Sequence, residues 1–183
     1  MAGALASRSE DGTLILTLNN LESKNTLNAE ICAAGIEALN AAENNTEIRS
    51  VVITGAGGVF CTGTDLRRLQ AGRRESLDEQ ARSVDVLHSW IDSLHTYPKP
   101  VIAAVEGAAA GGALGEALNM AAKLNGLAPN ALASIKDLIN DAPAHTLSQH
   151  LDSEHNHFVR NLQHANSGEG MDAFLQKRPP RYR

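Results

Sequence analysis

Three segments that concentrate glycine or other small residues follow strand-like runs in this sequence, and their residue types could support chemistry. They are residues 55–58 (GAGG), 60–66 (FCTGTDL) and 106–113 (EGAAAGGA). The second and third put small residues just before a possible helix, an arrangement that exposes backbone N–H groups. If neighbouring strands brought these two segments together, one N–H from each would form an oxyanion hole. Either segment alone is more simply an ordinary turn between a strand and a helix.

The glycines of residues 55–58 also invite comparison with the loops that bind dinucleotides. That fingerprint needs the spacing G-x-G-x-x-G and a helix that begins at once, so that its N-terminus faces the pyrophosphate. Here Val59, Phe60 and Cys61 intervene and the glycine spacing differs. The sequence therefore favours a flexible turn over a nucleotide site.

Strand-like and helix-like patterns alternate over the first 110 residues. Short apolar runs typical of buried strands cover residues 13–18 (TLILTL), 50–54 (SVVIT) and 101–105 (VIAAV). Apolar residues at helical spacing predict helices over residues 28–43, with Asn28 as the N-cap, and over residues 77–95. This order predicts an α/β fold in which the three strands are neighbours in one sheet and helix 28–43 packs on it.

The last 70 residues have an almost continuous helical pattern. Helices are predicted over residues 114–124, over residues 129–139 with Pro129 in the first turn, and over residues 146–165. The basic, proline-rich tail KRPPRYR is expected to be extended. We therefore divide the chain into an α/β core over residues 1–113 and a helical region over residues 114–183.

Composition excludes several classes of protein. With 183 residues, 43% of them apolar and 20% charged, the chain can form one domain with a hydrophobic core. A net charge of −5 and only 3% aromatic residues argue against a nucleic-acid partner. No apolar run approaches the roughly 18 residues that span a membrane, and the first residues do not resemble a secretory signal. Cys32 and Cys61 show no pairing pattern, so we expect a reducing, cytoplasmic location.

The two central segments, taken as a pair, resemble those of the crotonase (enoyl-CoA hydratase/isomerase) superfamily. The matching pieces are LTLNN, SKNTLN, RSVVITGAGGVFCTGTDLRRL, YPKPVIAAVEGAAAGG and, near the C-terminus, LAPNALASIKDLINDA and FLQKRPPRYR. The resemblance implies a crotonase-like ββα core, shortened in this chain and followed by C-terminal helices. It also implies an acyl-CoA substrate, so that coenzyme A enters as part of the substrate. We expect no permanently bound cofactor and no metal.

The resemblance maps particular residues onto the site of the family. In the family, the thioester carbonyl lies between two backbone N–H groups that stabilise an enolate-like oxyanion. These groups map to Thr64, which lies between Gly63 and Asp65, and to Gly112. The loop that lies along the CoA adenine maps to Asn25, Thr26 and Leu27, and the preceding Lys24 could approach the CoA phosphates.

The chain departs from the family after Gly112. The first acid/base glutamate of the family maps to Gly115, and the second lies in a block of several tens of residues that is missing here. Glu116 is the remaining candidate base, but a shift of one residue turns a helical side chain by about 100°. A solvated glutamate on the helix surface explains Glu116 more simply, because a base must first reach its proton.

Other polar residues admit two interpretations each. A helix cap explains Asp65 better than catalysis does. The four neighbouring arginines could attract CoA phosphates or simply form a solvated surface; they are Arg67, Arg68, Arg73 and Arg74. His150, Glu154 and His157 share one helical face, yet the zinc pattern H-E-x-x-H is absent. We interpret them as a polar face at a subunit contact.

The sequence thus supports two functions of different kinds. The first is hydration or double-bond isomerisation of an acyl-CoA thioester. The alternative is a catalytically silent CoA-ester-binding or subunit-assembly protein, because both acid/base glutamates are absent. A third possibility is a deletion product or a designed shortening with no activity. In either case we expect a homo-oligomer, a trimer or hexamer by resemblance. An apolar helix face would be exposed in a monomer; it comprises Leu147, Leu151, Phe158 and Leu162.

Overall fold

Four strands form one sheet in the computed structural model, which describes residues 4–64, 70, 72–73, 76–106 and 113–183. The strands lie in the order β1 (Leu5–Glu10), β2 (Thr13–Leu18), β3 (Ser50–Gly55) and β4 (Val101–Ala104). Strand β1 is antiparallel to β2, whereas β2, β3 and β4 are parallel to one another. The predicted α/β fold and the predicted adjacency of three strands are confirmed.

Helices cover both faces of the sheet. They are α1 (Ala29–Glu43), α2 (Leu77–Thr96), α3 (Ala113–Asn125), α4 (Pro129–Asp141), α5 (Leu147–Leu162) and α6 (Ala165–Leu175). The predicted N-cap of α1 is confirmed, since the Asn28 side chain accepts a hydrogen bond from the backbone N–H of Ile31 at 2.8 Å. None of the helices in the described part of the chain is long and apolar enough to cross a membrane.

The central strands are buried on both faces, as their apolar sequences predict. Alternate residues point to opposite sides of the sheet. One side packs against α1 and α2 and contributes Leu14, Leu16, Val51 and Ile53, which meet Leu39 and Trp90 of those helices. The other side packs against α3 and contributes Ile15, Val52 and Ala104, which meet Ala117 and Ala121. The candidate site lies at the carboxyl ends of these strands.

Strand β1 is absent from the sequence prediction. Its sequence LASRSE is mostly polar and five of its six residues are exposed, because it lies at the edge of the sheet. The signal that could have revealed it is the dipeptide Asp11-Gly12. Both residues have positive φ angles, 47° and 76°, as a two-residue hairpin turn requires.

The end of the chain also differs from the prediction. The single helix expected over residues 146–165 ends at Leu162, and a separate helix, α6, follows it. The His164 side chain begins α6 by accepting a hydrogen bond from the N–H of Asn166 at 3.1 Å. Helix α6 contains Gly168 and Gly170, which lower helix propensity and obscured it in the sequence. The tail beyond Arg178 contains no helix or strand, and its extended conformation stays a prediction.

The division of the chain at residue 113 stays a prediction. Helix α3 lies beyond that boundary, yet Ala117 and Ala121 bury its inner face against the sheet. Helix α4 is tied to the core by Lys136, whose ammonium donates to the carbonyls of Leu94 and Tyr97 at 3.0 and 2.6 Å. Burial lowers the pKa of Lys136 below its ordinary value.

Candidate active site

Two segments that the sequence singled out separately lie side by side in the structure. The backbone N–H of Leu27 donates to the carbonyl of Gly63 at 2.8 Å, and Leu27 forms an isolated parallel bridge with Thr64. The Thr62 hydroxyl donates to the carbonyl of Lys24 at 3.0 Å. Residues 24–27 are therefore held along residues 61–64, at the edge of the sheet where β3 ends.

The turn after β3 is tight and depends on Gly55. A side-chain carbon at Gly55 would overlap the carbonyl oxygens of Val59 and Phe60, so the chain can fold back only over a glycine. A single helical turn, Ala56–Gly58, occupies the bend, and Gly57 within it has a φ of 71°. The glycines of residues 55–58 thus serve the turn itself, in agreement with the prediction of a turn at this place.

Asn25 fixes the neighbouring loop to this turn. Its side chain is completely buried, and its amide nitrogen donates to the carbonyls of Ala56 and Val59 at 2.9 and 2.7 Å. Its amide oxygen accepts from the N–H of Asn20 at 3.0 Å. Because the side chain is committed within the protein, any contact of Asn25 with a ligand would have to use its backbone.

The other predicted cofactor-binding residues of this loop differ in exposure. Lys24 is exposed, Thr26 is buried and Leu27 is partly buried. Lys24 and Asn25 both have left-handed backbone conformations, with φ angles of 54° and 59°. Among its described residues, the loop therefore presents the Lys24 cation beside the turn after β3. Contact between these residues and coenzyme A stays a prediction.

Gly63 and Thr64 lie in an exposed part of this loop. Gly63 has a φ of 85°, and open space surrounds the position where a side chain would lie. Its N–H donates to the Cys61 sulfur at 3.3 Å. Thr64 is exposed, and no described residue accepts a hydrogen bond from its backbone N–H. That N–H is free to donate to a ligand.

The end of β4 lies against this loop. The backbone N–H of Phe60 donates to the carbonyl of Glu106 at 3.1 Å, so the third glycine-rich segment begins beside the second. Gly112 and Asp65 lie outside the described residues, as do Arg67, Arg68 and Arg74. Arg73 is described and exposed. The predicted approach of Thr64 and Gly112 therefore stays a prediction, while the described segments that flank them are in contact.

Carboxylates near the loop occupy two positions. Glu116 lies in the first turn of α3 and is exposed. Glu106 is partly buried, and its side chain accepts a hydrogen bond from the N–H of Leu114 at 3.4 Å. No motif in the sequence points to Glu106 on its own. Open space surrounds the position of a side chain at Gly115, where the resemblance expects a glutamate. The role of Glu116 as a base stays a prediction.

The remaining polar candidates form no described metal site. Across the residues that the structure describes, no group of three histidine, cysteine or acidic side chains could hold a metal ion. His150 and His157 are partly buried on α5, while Glu154 is exposed. Cys32 is buried and Cys61 partly so, and both are free thiols. Burial raises the pKa of the Cys32 thiol above its ordinary value.

Comparison with known proteins decides the family. The model of the enoyl-CoA hydratase/isomerase family matches residues 8–115, which is more than half of the chain. The chain belongs to the enoyl-CoA hydratase/isomerase family. The resemblance to crotonases inferred from the sequence is confirmed, and it places the chain in a family of enzymes.

Two relatives show what share of a family member's length this chain matches. The 1,2-epoxyphenylacetyl-CoA isomerase of Escherichia coli is 37% identical over 108 residues, which are 58% of this chain and 41% of the relative. The enoyl-CoA hydratase EchA19 of Mycobacterium tuberculosis is 36% identical over 103 residues, which are 55% of this chain and 38% of the relative. The chain thus matches about two fifths of the length of these curated members of the enoyl-CoA hydratase/isomerase family.

Solved structures of the family match over nearly the whole chain. The crystal structure of an enoyl-CoA hydratase from Polaromonas sp. JS666 is 48% identical, with a TM-score of 0.96, and the match covers 99% of this chain and 100% of that one. An enoyl-CoA hydratase from Bacillus anthracis has a TM-score of 0.88 at 17% identity, covering 98% of this chain and 99% of the other. The second likeness shows the fold alone.

Proposed function

We propose that this chain binds acyl-CoA thioesters and acts on them as an enoyl-CoA hydratase or double-bond isomerase. The observation that carries the proposal is the pairing of residues 24–27 with residues 61–64, which leaves the Thr64 N–H free. Membership of the family supports it, as do the CoA thioesters in the names of both relatives. Coenzyme A is part of the substrate, and the proposal includes no permanently bound cofactor.

The proposed mechanism polarises the thioester carbonyl. Its oxygen would accept a hydrogen bond from the Thr64 N–H and a second from the Gly112 N–H. Negative charge develops on this oxygen when water adds to the double bond or when a proton moves along the acyl chain. Fixed donors stabilise that charge, and one such donor contributes roughly a hundred- to a thousand-fold in rate.

Proton transfer is the step of the proposed mechanism for which the site offers the least. A positioned acid or base typically contributes about a hundred- to ten-thousand-fold. Gly115 has no side chain to supply one, and Glu116 is exposed on the next position of the helix. We therefore propose that CoA-ester binding persists while hydratase turnover lies several orders of magnitude below that of a relative with both glutamates. Binding without turnover is the alternative function, a silent CoA-ester-binding or subunit-assembly protein.

We also propose that the chain forms a homo-oligomer, a trimer or hexamer by family resemblance, and has no nucleic-acid or membrane partner. The predicted apolar face supports assembly, since each of its members is half exposed or more; they are Leu147, Leu151, Phe158 and Leu162. The two free thiols support a cytoplasmic location.

The test measures crotonyl-CoA binding by calorimetry and its hydration by the loss of enoyl-thioester absorbance, on one sample. Thr64→Pro removes the proposed donor, because proline has no N–H. Thr64→Ala keeps the N–H and is the matched control. We expect binding and slow hydration by the wild type and by Thr64→Ala, with hydration lowered about a hundredfold or more in Thr64→Pro. A wild-type chain that binds no CoA ester would overturn the proposal.

A gain of function tests the proton-transfer argument. Gly115→Glu restores a carboxylate at a position with open space around it, and hydration should rise about a hundredfold. Gly115→Gln is the control, because it has the same length and a similar helix propensity but cannot transfer the proton. Equal rates for the two variants would show that the missing acid/base group does not limit turnover.

A further inference from the structure

The Thr62 side chain contacts the main chain on both sides of Lys24. Its hydroxyl donates to the carbonyl of Lys24 at 3.0 Å, and the carbonyl of Ser23 lies 3.3 Å from the same oxygen. These carbonyls belong to the two peptide units that meet at the Cα atom of Lys24. Because a peptide unit is planar, holding both units also sets the direction in which the Lys24 side chain leaves the main chain.

The main chain at Lys24 has a conformation that needs support. Lys24 and Asn25 have φ angles of 54° and 59°, in the left-handed region that residues with a side chain rarely adopt. The N–H of Lys24 donates to the carbonyl of Leu21 at 3.1 Å, and the buried side chain of Asn25 holds the residue that follows. Thr62 supplies the donor for the Lys24 carbonyl. The hydroxyl therefore helps to keep Lys24 in this conformation.

Residues 24–27 are held against residues 61–64 at both ends, but in different ways. At Leu27 the contact joins two main chains, since the Leu27 N–H donates to the carbonyl of Gly63 at 2.8 Å. That hydrogen bond does not depend on the side chains at either position. At Lys24 the contact needs a hydroxyl at residue 62, which few side chains supply. The position of Lys24 thus depends on the identity of Thr62.

The side chain of Lys24 is placed to meet a charged ligand. Lys24 is exposed, whereas the side chain of Asn25 is buried and committed within the protein. An ammonium attracts phosphate as a point charge. A side chain that already points towards its ligand loses less conformational freedom on binding, and this raises the affinity. The phosphates of a CoA ester lie in its nucleotide part, away from the reacting acyl group.

We propose that Thr62 is a positioning residue that directs Lys24 towards the phosphates of a CoA ester. The inference rests on the proposed binding of CoA esters and involves neither of the proposed oxyanion donors. Thr62 is assigned no contact with the substrate. It acts through the main chain of Lys24, so its hydroxyl should matter for binding while the Lys24 ammonium is present and not otherwise.

Three substitutions separate the hydroxyl from the shape of the side chain and from the charge. Thr62→Val keeps the shape and removes the hydroxyl, whereas Thr62→Ser keeps the hydroxyl and removes the methyl group. Lys24→Met removes the ammonium. Thr46→Val, in the exposed turn before β3, is the matched control for the loss of a hydroxyl. Thermal melts check that every variant is folded.

Calorimetry measures the dissociation constant of crotonyl-CoA for each variant. We expect Thr62→Val to weaken binding about three- to tenfold, the usual effect of losing one hydrogen bond. Thr62→Ser and Thr46→Val should bind like the wild type. The deficit of Thr62→Val should shrink in about 1 M salt, because charges are then screened beyond roughly 3 Å.

A double variant tests whether Thr62 acts through Lys24. Lys24→Met should weaken binding at least as much as Thr62→Val does. Adding Thr62→Val to Lys24→Met should then have no further effect, because the side chain that the hydroxyl directs no longer carries a charge. A hydroxyl that merely stabilised the loop would instead weaken binding by the same factor with and without the ammonium.

Another measurement needs no ligand. Amide hydrogen exchange at Lys24 should be faster in Thr62→Val than in the wild type or in Thr62→Ser, because the loop opens more often when the hydroxyl contact is lost. This exchange reports on the main chain of Lys24 and is independent of what the ammonium binds.

Three outcomes would overturn the inference. Wild-type affinity for crotonyl-CoA in Thr62→Val would show that the hydroxyl does not support binding. Equal losses from Thr62→Val with and without the ammonium would show that Thr62 does not act through Lys24. Unchanged exchange at Lys24 in Thr62→Val would show that the hydroxyl does not hold the main chain.

Failure of the proposed function is a separate result. It would be seen as a wild-type chain that binds no CoA ester, before any variant is compared, and it would remove the phosphate ligand from the inference. The exchange at Lys24 would still decide whether Thr62 holds the main chain there.

Discussion

Asn25 illustrates how one buried polar residue holds the candidate site together. Its side chain joins Asn20, Ala56 and Val59 through three hydrogen bonds, and no water reaches it. A buried polar group left without a partner costs about 1–3 kcal/mol. Hydrogen bonds within the protein therefore hold the loop of residues 24–27 in position without a ligand.

Asn25→Ala should lower the free energy of unfolding by about 2–5 kcal/mol, because three backbone groups lose their partner at once. Asn25→Asp should be about as harmful, since it sets a carboxylate oxygen against the carbonyls of Ala56 and Val59. Urea denaturation measures both, with Asn40→Ala on the exposed side of α1 as the control. An Asp variant as stable as the wild type would contradict this account of the amide nitrogen.

The sequence reveals some of these residues and hides others for a physical reason. Thr64 and Gly63 belong to a local motif, so their place in the loop could be predicted. Two of the three partners of Asn25 lie 31 and 34 residues away along the chain. Glu106, which follows β4, likewise accepts its hydrogen bond from Phe60, which follows β3. Hydrogen bonds across such distances leave no pattern in one sequence, so these roles emerged only from the structure.

At the scale of elements, α1 and α2 pack closely because α1 carries a glycine at their contact. A side-chain carbon at Gly35 would overlap the indole ring of Trp90, which is only 3% exposed. Glycine inside a helix costs up to about 1 kcal/mol relative to alanine. The close approach of the two helices outweighs that cost.

Gly35→Ala should therefore destabilise the protein by about 1–2 kcal/mol, since the strain of overpacking exceeds the gain in helix propensity. Gly168→Ala in α6 is the matched control, because open space surrounds that position. It should stabilise the protein by up to about 1 kcal/mol. Thermal denaturation compares the two. If both substitutions raised the midpoint, the Trp90 contact would not limit this position.

The elements that the sequence predicted are those whose burial imposes a pattern. Strands β2, β3 and β4 must be apolar to lie between α1, α2 and α3, and their runs were recognisable. Strand β1 borders the sheet with one neighbour and tolerates polar residues. Helix α6 contains two glycines and begins with a side-chain cap from His164. Neither element needs apolar residues at a regular spacing, so the sequence pattern predicts neither of them.

At the scale of the whole molecule, the C-terminal tail folds back along α6. Glu169 accepts hydrogen bonds from both terminal nitrogens of Arg178, at 2.7 and 2.9 Å, and from the N–H of Arg181 at 2.6 Å. Asn166 exchanges two further hydrogen bonds with the backbone of Arg183. Arg49, just before β3, donates to the carbonyl of Tyr182 at 3.3 Å. The tail thereby connects the last helix to the sheet.

The tether at Glu169 should be sensitive to acid. Hydrogen bonds from Arg178 and Arg181 lower the pKa of Glu169 from an ordinary value of 4.5 to about 2. Because the pKa is lower in the folded protein, the stabilisation is complete above pH 4.5 and is lost as the pH falls towards 2. Glu169→Gln should therefore be less stable than the wild type at pH 7 and equally stable near pH 2.

Urea denaturation at several pH values measures this difference. Glu154→Gln, on the exposed side of α5, is the control and should follow the wild type throughout. A constant gap between Glu169→Gln and the wild type from pH 7 to pH 2 would show that the ionised carboxylate does not hold the tail.

Helix α5 turns its polar side towards the protein and its apolar side towards solvent, which is the reverse of a typical helix on the surface of a monomer. The side towards α4 is polar: the Asn161 amide donates to the Ser134 hydroxyl at 2.8 Å and accepts from the Asn130 amide at 2.7 Å. The solvent side carries Leu151 and Phe158, which are 53% and 64% exposed. Surface helices of monomers turn their apolar side inward. A continuous exposed apolar stripe is instead typical of an interface.

We therefore expect the protein to associate with itself through α5, and light scattering at micromolar concentration should give a mass above that of one chain. Replacing Leu151 and Phe158 together by glutamate should lower the mass to a monomer with an unchanged circular dichroism spectrum, because burying an unpaired charge opposes association and the α4 contacts remain. Leu21→Glu is the control. Leu21 is similarly exposed, but it lies near the N-terminus, beside the turn after β3 and away from α5 in the sequence. A wild-type monomer would show that the apolar side of α5 has no second copy of the chain as its partner.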